Sequence, residues 1–129
     1  MLREKNLNAI VLNSLNDIQK DWCFTKDYIL EKKVDLKKEI SVVIARYSDG
    51  TISSYEPIEN VHKDQILFKS KIPADISNKI FEEAISNAKK ISEKFNYVGV
   101  LTVEFFITKD DELLVNELAP RFHNSCLLY

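Results

Sequence analysis

The sequence predicts an α+β fold in which one long helix packs on an antiparallel sheet. Three segments carry this prediction, in the order β-hairpin, helix, β-hairpin. The first is a strand pair around a tight turn, the second is a long amphipathic stretch, and the third is a second pair of apolar strands. One core of this kind suits a chain of 129 residues.

The first hairpin follows from a run of β-branched side chains beside a strong turn. Residues 39–47 favour a strand, residues 48–50 (Ser-Asp-Gly) are typical of a tight turn, and residues 51–55 return along the first strand. Residues 58–62 and 65–69 predict two further short strands.

The long helix is predicted to begin at residue 74 or 75 and to end at residue 95. Its apolar side chains recur at steps of three and four residues, which places them on one face. At ~1.5 Å per residue such a helix is about 30 Å long, enough to cross the sheet. The apolar series is Ile76, Ile80, Ala84, Ala88, Ile91 and Phe95.

The remaining elements are shorter or closer to the ends of the chain. Residues 97–108 and 113–119 form the second hairpin, joined by the polar residues 109–112. Near the start, residues 14–22 have the spacing of a short amphipathic helix, and residues 28–34 resemble a strand.

Composition excludes several classes of function. The net charge is −2 and the lysines are scattered, so we expect no nucleic-acid partner. No apolar run approaches the ~20 residues that span a bilayer, and we expect no membrane association and a cytoplasmic location. Cys23 and Cys126 lie too far apart in sequence for a zinc or redox motif, and two free thiols are expected.

The two strands of the second hairpin each carry one glutamate among apolar residues, Glu104 and Glu117. Counting six residues outward from the turn places them roughly opposite each other. Opposed like charges repel, whereas a divalent cation would make the pair favourable, and carboxylate oxygens suit Mg²⁺. The alternative is an exposed sheet face that carries two glutamates without a metal.

Arg121, His123 and Asn124 follow the second glutamate directly. An arginine offers a bidentate fork to phosphate or carboxylate, and histidine and asparagine add hydrogen bonds. The alternative for this cluster is solvated surface.

A second candidate site lies at residues 31–39. Backbone groups between Glu31 and Val34 can face a flat heterocycle, and Glu39 can accept both hydroxyls of a ribose. Exposed charges at a strand end are the alternative. His62 is the other histidine to consider, and its alternative is a solvent-exposed side chain.

Taken in order, these motifs resemble the ATP-grasp superfamily and, within it, the 5-(carboxyamino)imidazole ribonucleotide synthases, a family of ATP-dependent carboxylases of purine biosynthesis. Each block is weak alone, but the ordered series is specific. The matching blocks are residues 29–34, 39–46, 59–62, 97–100, 103–106 and 116–125.

The resemblance implies ATP and Mg²⁺ as cofactors and gives roles to individual residues. Glu31 and Val34 would hold adenine, Glu39 the ribose, and Glu104 and Glu117 the magnesium ion. Much of the superfamily has Glu-x-Asn-x-Arg where this chain reads Glu-Leu-Ala-Pro-Arg from Glu117, the variant typical of the carboxylases.

The resemblance also implies the substrates, bicarbonate and 5-aminoimidazole ribonucleotide. Arg121 and His123 would be catalytic, facing bicarbonate or carboxyphosphate. The implied reaction is phosphorylation of bicarbonate by ATP and then carboxylation of the aminoimidazole nitrogen. Further contacts to substrate or phosphate would come from Arg46, Asn60, His62 and Asn124.

By the same resemblance, residues 1–129 are expected to be a partial ATP-grasp domain. The resemblance implies that the family's N-terminal substrate domain, its Gly-rich ATP lobe and its C-terminal β domain are absent from these residues. Three hypotheses follow: half of a split carboxylase completed by a complementary chain, an inactive remnant, or a non-enzymatic interaction module.

Overall fold

The computed structural model describes residues 2–4, 9–10, 28–64 and 66–121, and the side chains of residues 31–64 and 66–121. The chain divides into two compact units, Met1–Asp35 and Leu36–Tyr129. The single core expected from the sequence is found in the second unit, and the first 35 residues form a unit of their own.

The first unit contains a three-stranded antiparallel sheet. The predicted strand at residues 28–34 is confirmed only for its first three residues. Leu30 pairs with Leu2, the first residue of β1, so the pairing between the two strands ends there. The helix predicted at residues 14–22 and Cys23 lie outside the described residues. The strands, in the order β2-β1-β3, are β1 (Leu2–Glu4), β2 (Ala9–Ile10) and β3 (Tyr28–Leu30).

The second unit is a six-stranded antiparallel sheet with one helix, as predicted. Its strand order is β7-β6-β4-β8-β9, and β5 pairs with β4. Both predicted hairpins and both further strands are present. The bounds are β4 (Leu36–Arg46), β5 (Ile52–Ser54), β6 (Ile58–Lys63), β7 (Ile66–Lys71), α1 (Asn78–Lys94), β8 (Gly99–Thr108) and β9 (Leu113–Ala119).

Helix α1 begins later than the sequence predicted, at Asn78 rather than at residue 74 or 75. Ser77 is the N-cap, and its side chain accepts a hydrogen bond from the backbone N–H of Ile80. Ile76 therefore contacts the core from outside the helix, which spacing alone could not distinguish. The 17 residues of α1 span about 26 Å.

The core lies between α1 and one face of the sheet. Ala84 and Ala88 are fully buried, and their small side chains let the helix approach the strands closely. The strands contribute alternate residues, as expected when one face is covered. The buried strand residues are Ile40, Val42 and Ile44 of β4 and Leu101, Val103, Phe105 and Ile107 of β8.

The turn between β4 and β5 is fixed locally. Gly50 has a φ of 89°, in the left-handed region that favours glycine. The backbone N–H of Thr51 donates to Asp49 Oδ1 at 2.8 Å. This hydrogen bond lowers the pKa of Asp49 below its usual range.

A charged cluster ties the start of the helix to the sheet. Lys38 Nζ donates to the Asp75 carbonyl at 2.6 Å and to Glu59 Oε2 at 3.1 Å. The backbone N–H of Asp75 donates to the same Glu59 oxygen at 3.1 Å. Desolvation opposes the charge on Lys38, but its bonds to Glu59 and Asp75 outweigh this and raise its pKa.

In the part of the chain that the structure describes, no helix is both long and apolar enough to cross a membrane.

Candidate functional site

The face of the sheet opposite α1 carries polar side chains, and we call it the polar face. Because paired residues on neighbouring strands point to the same side, the register defines this face. Ser41 of β4 pairs with Glu104 of β8, and Glu39 pairs with Phe106. Their neighbours in each strand, such as Ile40, belong to the core. Successive residues of β4 and β8 thus alternate between the core and the polar face, where Ser41, Val43 and Thr102 are themselves buried.

Glu104 and Glu117 are direct partners across β8 and β9, as the count from the turn predicted. The count succeeds only because of a β-bulge. From the turn outward the ladder is regular as far as Phe105, which pairs with Val115, and Asn116 is then the extra residue. Without the bulge Asn116 would face Glu104, and Glu117 would turn to the other face.

The acidic pair fits a hard cation. Glu104 is half-buried and Glu117 is exposed, so one carboxylate is held within the sheet and the other faces solvent. Mg²⁺ characteristically takes one or two protein carboxylates and fills its remaining positions with water and phosphate oxygens. In residues 31–64 and 66–121, no group of three or more His, Cys, Asp or Glu side chains could hold a metal by itself.

Glu39 and His62 form a contact on the same polar face. The distance between His62 Nδ1 and Glu39 Oε2 is 2.7 Å, and the two side chains are 31% and 26% exposed, in that order. Nδ1 must carry a proton to donate to a carboxylate, so this contact does not use the second carboxylate oxygen or imidazole Nε2. The structure therefore brings together two residues that the sequence placed in separate motifs.

Asn60 lies beside this pair but is buried, with 7% of its surface exposed. Its Nδ2 donates to Ser41 Oγ at 3.0 Å, and its Oδ1 accepts from Ser70 Oγ at 3.0 Å. Both ends of its amide are thus engaged within the sheet.

Arg121 follows β9 and is held there by two hydroxyl groups. Thr102 Oγ1 donates to the Arg121 carbonyl at 3.1 Å, and the Tyr97 hydroxyl donates to the Pro120 carbonyl at 3.2 Å. Thr102 lies two residues before Glu104 in β8 and pairs with Ala119, two residues after Glu117 in β9. Arg121 therefore leaves the sheet close to the acidic pair. His123, Asn124 and Cys126 lie outside the described residues.

The structure does not bring Arg46 to this group. Arg46 lies seven residues along β4 from Glu39, about 23 Å at ~3.3 Å per residue. Its Nη1 donates weakly to the Tyr97 carbonyl at 3.5 Å, and its buried Nε has no hydrogen-bond partner. Its predicted contact with substrate stays a prediction.

Glu31 and Val34 belong to the first unit. Glu31 is exposed and Val34 is half-buried, in a segment of no regular secondary structure. Their assignment to adenine also stays a prediction.

A cavity of about 360 Å³ lies at the start of α1, on the other side of the sheet. Its lining includes Ile80 and Ile107 of the core and the charged pair Lys38 and Asp75. It does not include any residue of the polar face.

Sequence reasoning assigned no role to Asn116, Phe106, Ser41 or Ser70, although the first three lie in the motifs that it used. The signal for Phe106 was available, because it lies two residues from Glu104 in a strand. The bulge at Asn116 and the partners of Asn60 depend on register between strands, which the sequence does not state.

Comparison with known proteins identifies the fold. An ATP-grasp domain model matches residues 8–128. The N5-carboxyaminoimidazole ribonucleotide synthase of Bacillus subtilis is 48% identical over 97 residues, covering 75% of this chain and 26% of that protein. The enzyme of the same name from Staphylococcus aureus is 37% identical over 118 residues, covering 90% and 31%. The chain thus spans between about a quarter and a third of these curated relatives.

Solved structures agree with this family match. The N5-carboxyaminoimidazole synthetase of Staphylococcus aureus complexed with ADP superimposes with a TM-score of 0.82 at 35% identity, covering 97% of this chain and 34% of that one. The synthase of Aspergillus clavatus in complex with ADP and 5-aminoimidazole ribonucleotide gives 0.83 at 31% identity, with the same coverage. With nearly the whole chain matched in sequence and fold, this protein belongs to the ATP-grasp family.

Proposed function

We propose that this chain supplies the metal- and nucleotide-binding sheet of an ATP-dependent carboxylase. That enzyme converts 5-aminoimidazole ribonucleotide and bicarbonate to 5-(carboxyamino)imidazole ribonucleotide in purine biosynthesis. The observation that carries the proposal is that Glu39, His62, Glu104 and Glu117 share one face of the sheet. The names of the relatives support the choice of reaction.

Glu104 and Glu117 hold Mg²⁺ in this proposal. Their opposed carboxylates supply the oxygen donors that the ion prefers, and a bound cation removes their mutual repulsion. When bound, the ion neutralises charge on the phosphate oxygens of ATP.

Glu39 binds the ribose of ATP. His62 engages one carboxylate oxygen, Oε2, and so leaves Oε1 as an acceptor for a ribose hydroxyl. Phe106, directly opposite Glu39, adds an apolar surface beside it. Glu31 and Val34 are assigned to adenine by family resemblance alone.

Arg121 and His123 bind the bicarbonate. An oxygen of bicarbonate takes the γ-phosphoryl group of ATP, and ADP leaves. The amino nitrogen of the imidazole then attacks the carboxyl carbon, phosphate leaves, and the nitrogen loses a proton. Positioning and charge neutralisation carry both steps, without a covalent enzyme intermediate. Arg46, Asn60 and Asn124 remain predicted substrate contacts, and a cytoplasmic location remains a prediction.

The proposal treats residues 1–129 as part of an ATP-grasp domain, to be completed by a complementary chain. The first experiment is calorimetric titration of this chain with Mg·ADP, comparing the wild type with Glu39→Gln. Glu56→Gln is the matched control, since Glu56 is exposed and lies outside the candidate site. We expect binding that Glu39→Gln weakens and Glu56→Gln leaves unchanged. Absence of binding by the wild type would contradict the proposal.

The second experiment tests the reaction itself. The part of the Staphylococcus aureus relative that this chain does not match is added as a separate chain. We expect phosphate release from ATP that requires both chains, bicarbonate and 5-aminoimidazole ribonucleotide. Nucleotide binding without this activity would favour an inactive remnant.

A further inference from the structure

The contact between Glu39 and His62 depends on the course of β6 beyond its pairing with β4. The register between these strands comprises three pairs, and the last is Glu39 with Asn60. His62 lies two residues further along β6. No pair between β4 and β6 therefore fixes the backbone of His62 relative to Glu39.

On its other side β6 is irregular at the same place. The register between β6 and β7 shifts between Val61, which pairs with Lys69, and His62, which pairs with Leu67. The backbone of His62 is thus aligned by β7 and not by β4, so its approach to Glu39 depends on how β7 and β6 are held against β4.

Asn60 is the residue that joins the three strands at this point. Its amide bridges Ser41 of β4 and Ser70 of β7, each at 3.0 Å, and so crosses the full width of β6. Ser41 is fully buried and Asn60 nearly so, which makes these hydrogen bonds costly to lose. The amide has both of its ends engaged, which argues against a ligand as its main partner.

We propose that Asn60 is a positioning residue of the nucleotide site: its amide holds β7, β6 and β4 together so that His62 meets Glu39, and it thereby sets the preference for a ribose over a 2′-deoxyribose nucleotide. The proposal rests on the function proposed above, in which Glu39 accepts a ribose hydroxyl. In this proposal Asn60 does not contact the substrate directly, as the sequence analysis predicted it would, but acts through Glu39.

The test compares Mg·ADP with Mg·2′-deoxyADP on the full chain. Asn60→Leu removes both hydrogen bonds at similar side-chain size, and Ser70→Ala removes one of them with little risk to folding. Glu59→Ala is the matched control, because it lies next to Asn60 but holds Lys38 and Asp75 instead. This control substitution should lower the stability of the fold without altering the contacts on the polar face.

In the wild type we expect ADP to bind more tightly than 2′-deoxyADP. Asn60→Leu should weaken the binding of ADP by about tenfold and that of 2′-deoxyADP far less, so that the preference for ADP disappears. Ser70→Ala should also reduce the preference for ADP, and Glu59→Ala should leave it unchanged. Folded Asn60→Leu and Ser70→Ala proteins with the wild-type preference would overturn the proposal.

A second measurement needs no nucleotide. The chain has two histidines, so the imidazole ¹⁵N resonances of His62 can be assigned with His62→Gln. We expect Asn60→Leu to shift the Nδ1 signal toward that of an imidazole without a carboxylate partner, and Glu59→Ala to leave it in place. An unchanged Nδ1 signal in Asn60→Leu would refute the positioning role. A wild type that binds neither nucleotide would instead refute the function on which the proposal rests.

Discussion

Glu117 lies directly opposite Glu104 across the β8–β9 pair because Asn116 is accommodated as an extra residue between Glu117 and the turn. The bulge keeps Val115 opposite the core residue Phe105 and returns Glu117 to the polar face. Two carboxylates then face each other at a position where like charges repel. This arrangement has opposite consequences for the protein with and without a cation.

Glu117→Gln should therefore stabilise the metal-free protein and weaken its binding of Mg·ADP. Removing one of two opposed charges should raise the free energy of unfolding by about 0.5 kcal/mol. The same change removes a proposed metal ligand, so the dissociation constant should rise at least about tenfold. Urea unfolding in EDTA and calorimetric titration measure the two effects.

The control for this variant is Glu112→Gln, which makes the same charge change in the turn of the hairpin. It should alter neither quantity appreciably. If Glu117→Gln lowers stability in EDTA and leaves nucleotide binding intact, the acidic pair is a structural feature of the sheet and not a metal site.

Deleting Asn116 should leave a regular ladder in which Glu117 still faces Glu104. We expect the free energy of unfolding to change by less than about 1 kcal/mol, since the residue removed is the unpaired one. Inserting one alanine between Phe105 and Phe106 should instead prevent folding, because β8 pairs on both sides and its core residues would turn outward. Equal losses of stability in the two variants would contradict the assigned register.

Thr102→Val should loosen the segment that carries Arg121. The substitution keeps the shape of a fully buried side chain but removes the donor to the Arg121 carbonyl. We expect a loss of about 1–2 kcal/mol in urea unfolding. Tyr97→Phe removes the corresponding donor to the Pro120 carbonyl. Because this site is more exposed, the loss in the free energy of unfolding should be smaller. A neutral Thr102→Val would show that Arg121 is held by other contacts.

The cluster around Lys38 should make stability depend on pH in the alkaline range. Because the folded protein binds the Lys38 proton more tightly than the unfolded chain, the cluster stabilises the protein below pH 10.5 and ceases to do so as the pH rises through the raised pKa. Lys38 and Glu59 are partly exposed, at 24% and 18%, so the contribution is about 1 kcal/mol or less.

The measurement is the difference in unfolding free energy between the wild type and Lys38→Met as a function of pH. This difference should be constant around neutral pH and should shrink above pH 10.5. A difference that instead grows with rising pH would show that the proton of Lys38 is not bound more tightly in the folded protein.

Local pattern was sufficient to predict most of this architecture. Strand β9 was predicted with both of its bounds, and the spacing from Ile80 to Ile91 identified the core face of α1. The start of α1 was wrong because Ile76 continues the apolar spacing although the chain is not yet helical. The Ser77 cap, rather than the hydrophobic pattern, determines where the helix begins.

The site was predicted less completely, because its contacts join residues distant in sequence. Counting from the turn gave the pairing of Glu104 with Glu117, but the count is correct only because of the bulge at Asn116. The contact between His62 and Glu39 and the bridge made by Asn60 depend on how three strands align, which no local pattern encodes. Arg46 shares a motif with Glu39 in sequence but lies at the other end of the same strand.

The alternation of β4 between core and polar face has a consequence for mutational scanning. Alanine substitutions at Ile40, Val42 and Ile44 should reduce the yield of folded protein, whereas a change at Glu39 should leave yield intact and reduce ligand affinity. A scan that scores abundance and binding separately should therefore distinguish Glu39 from the buried positions of β4, which include Ser41 and Val43 on the polar face.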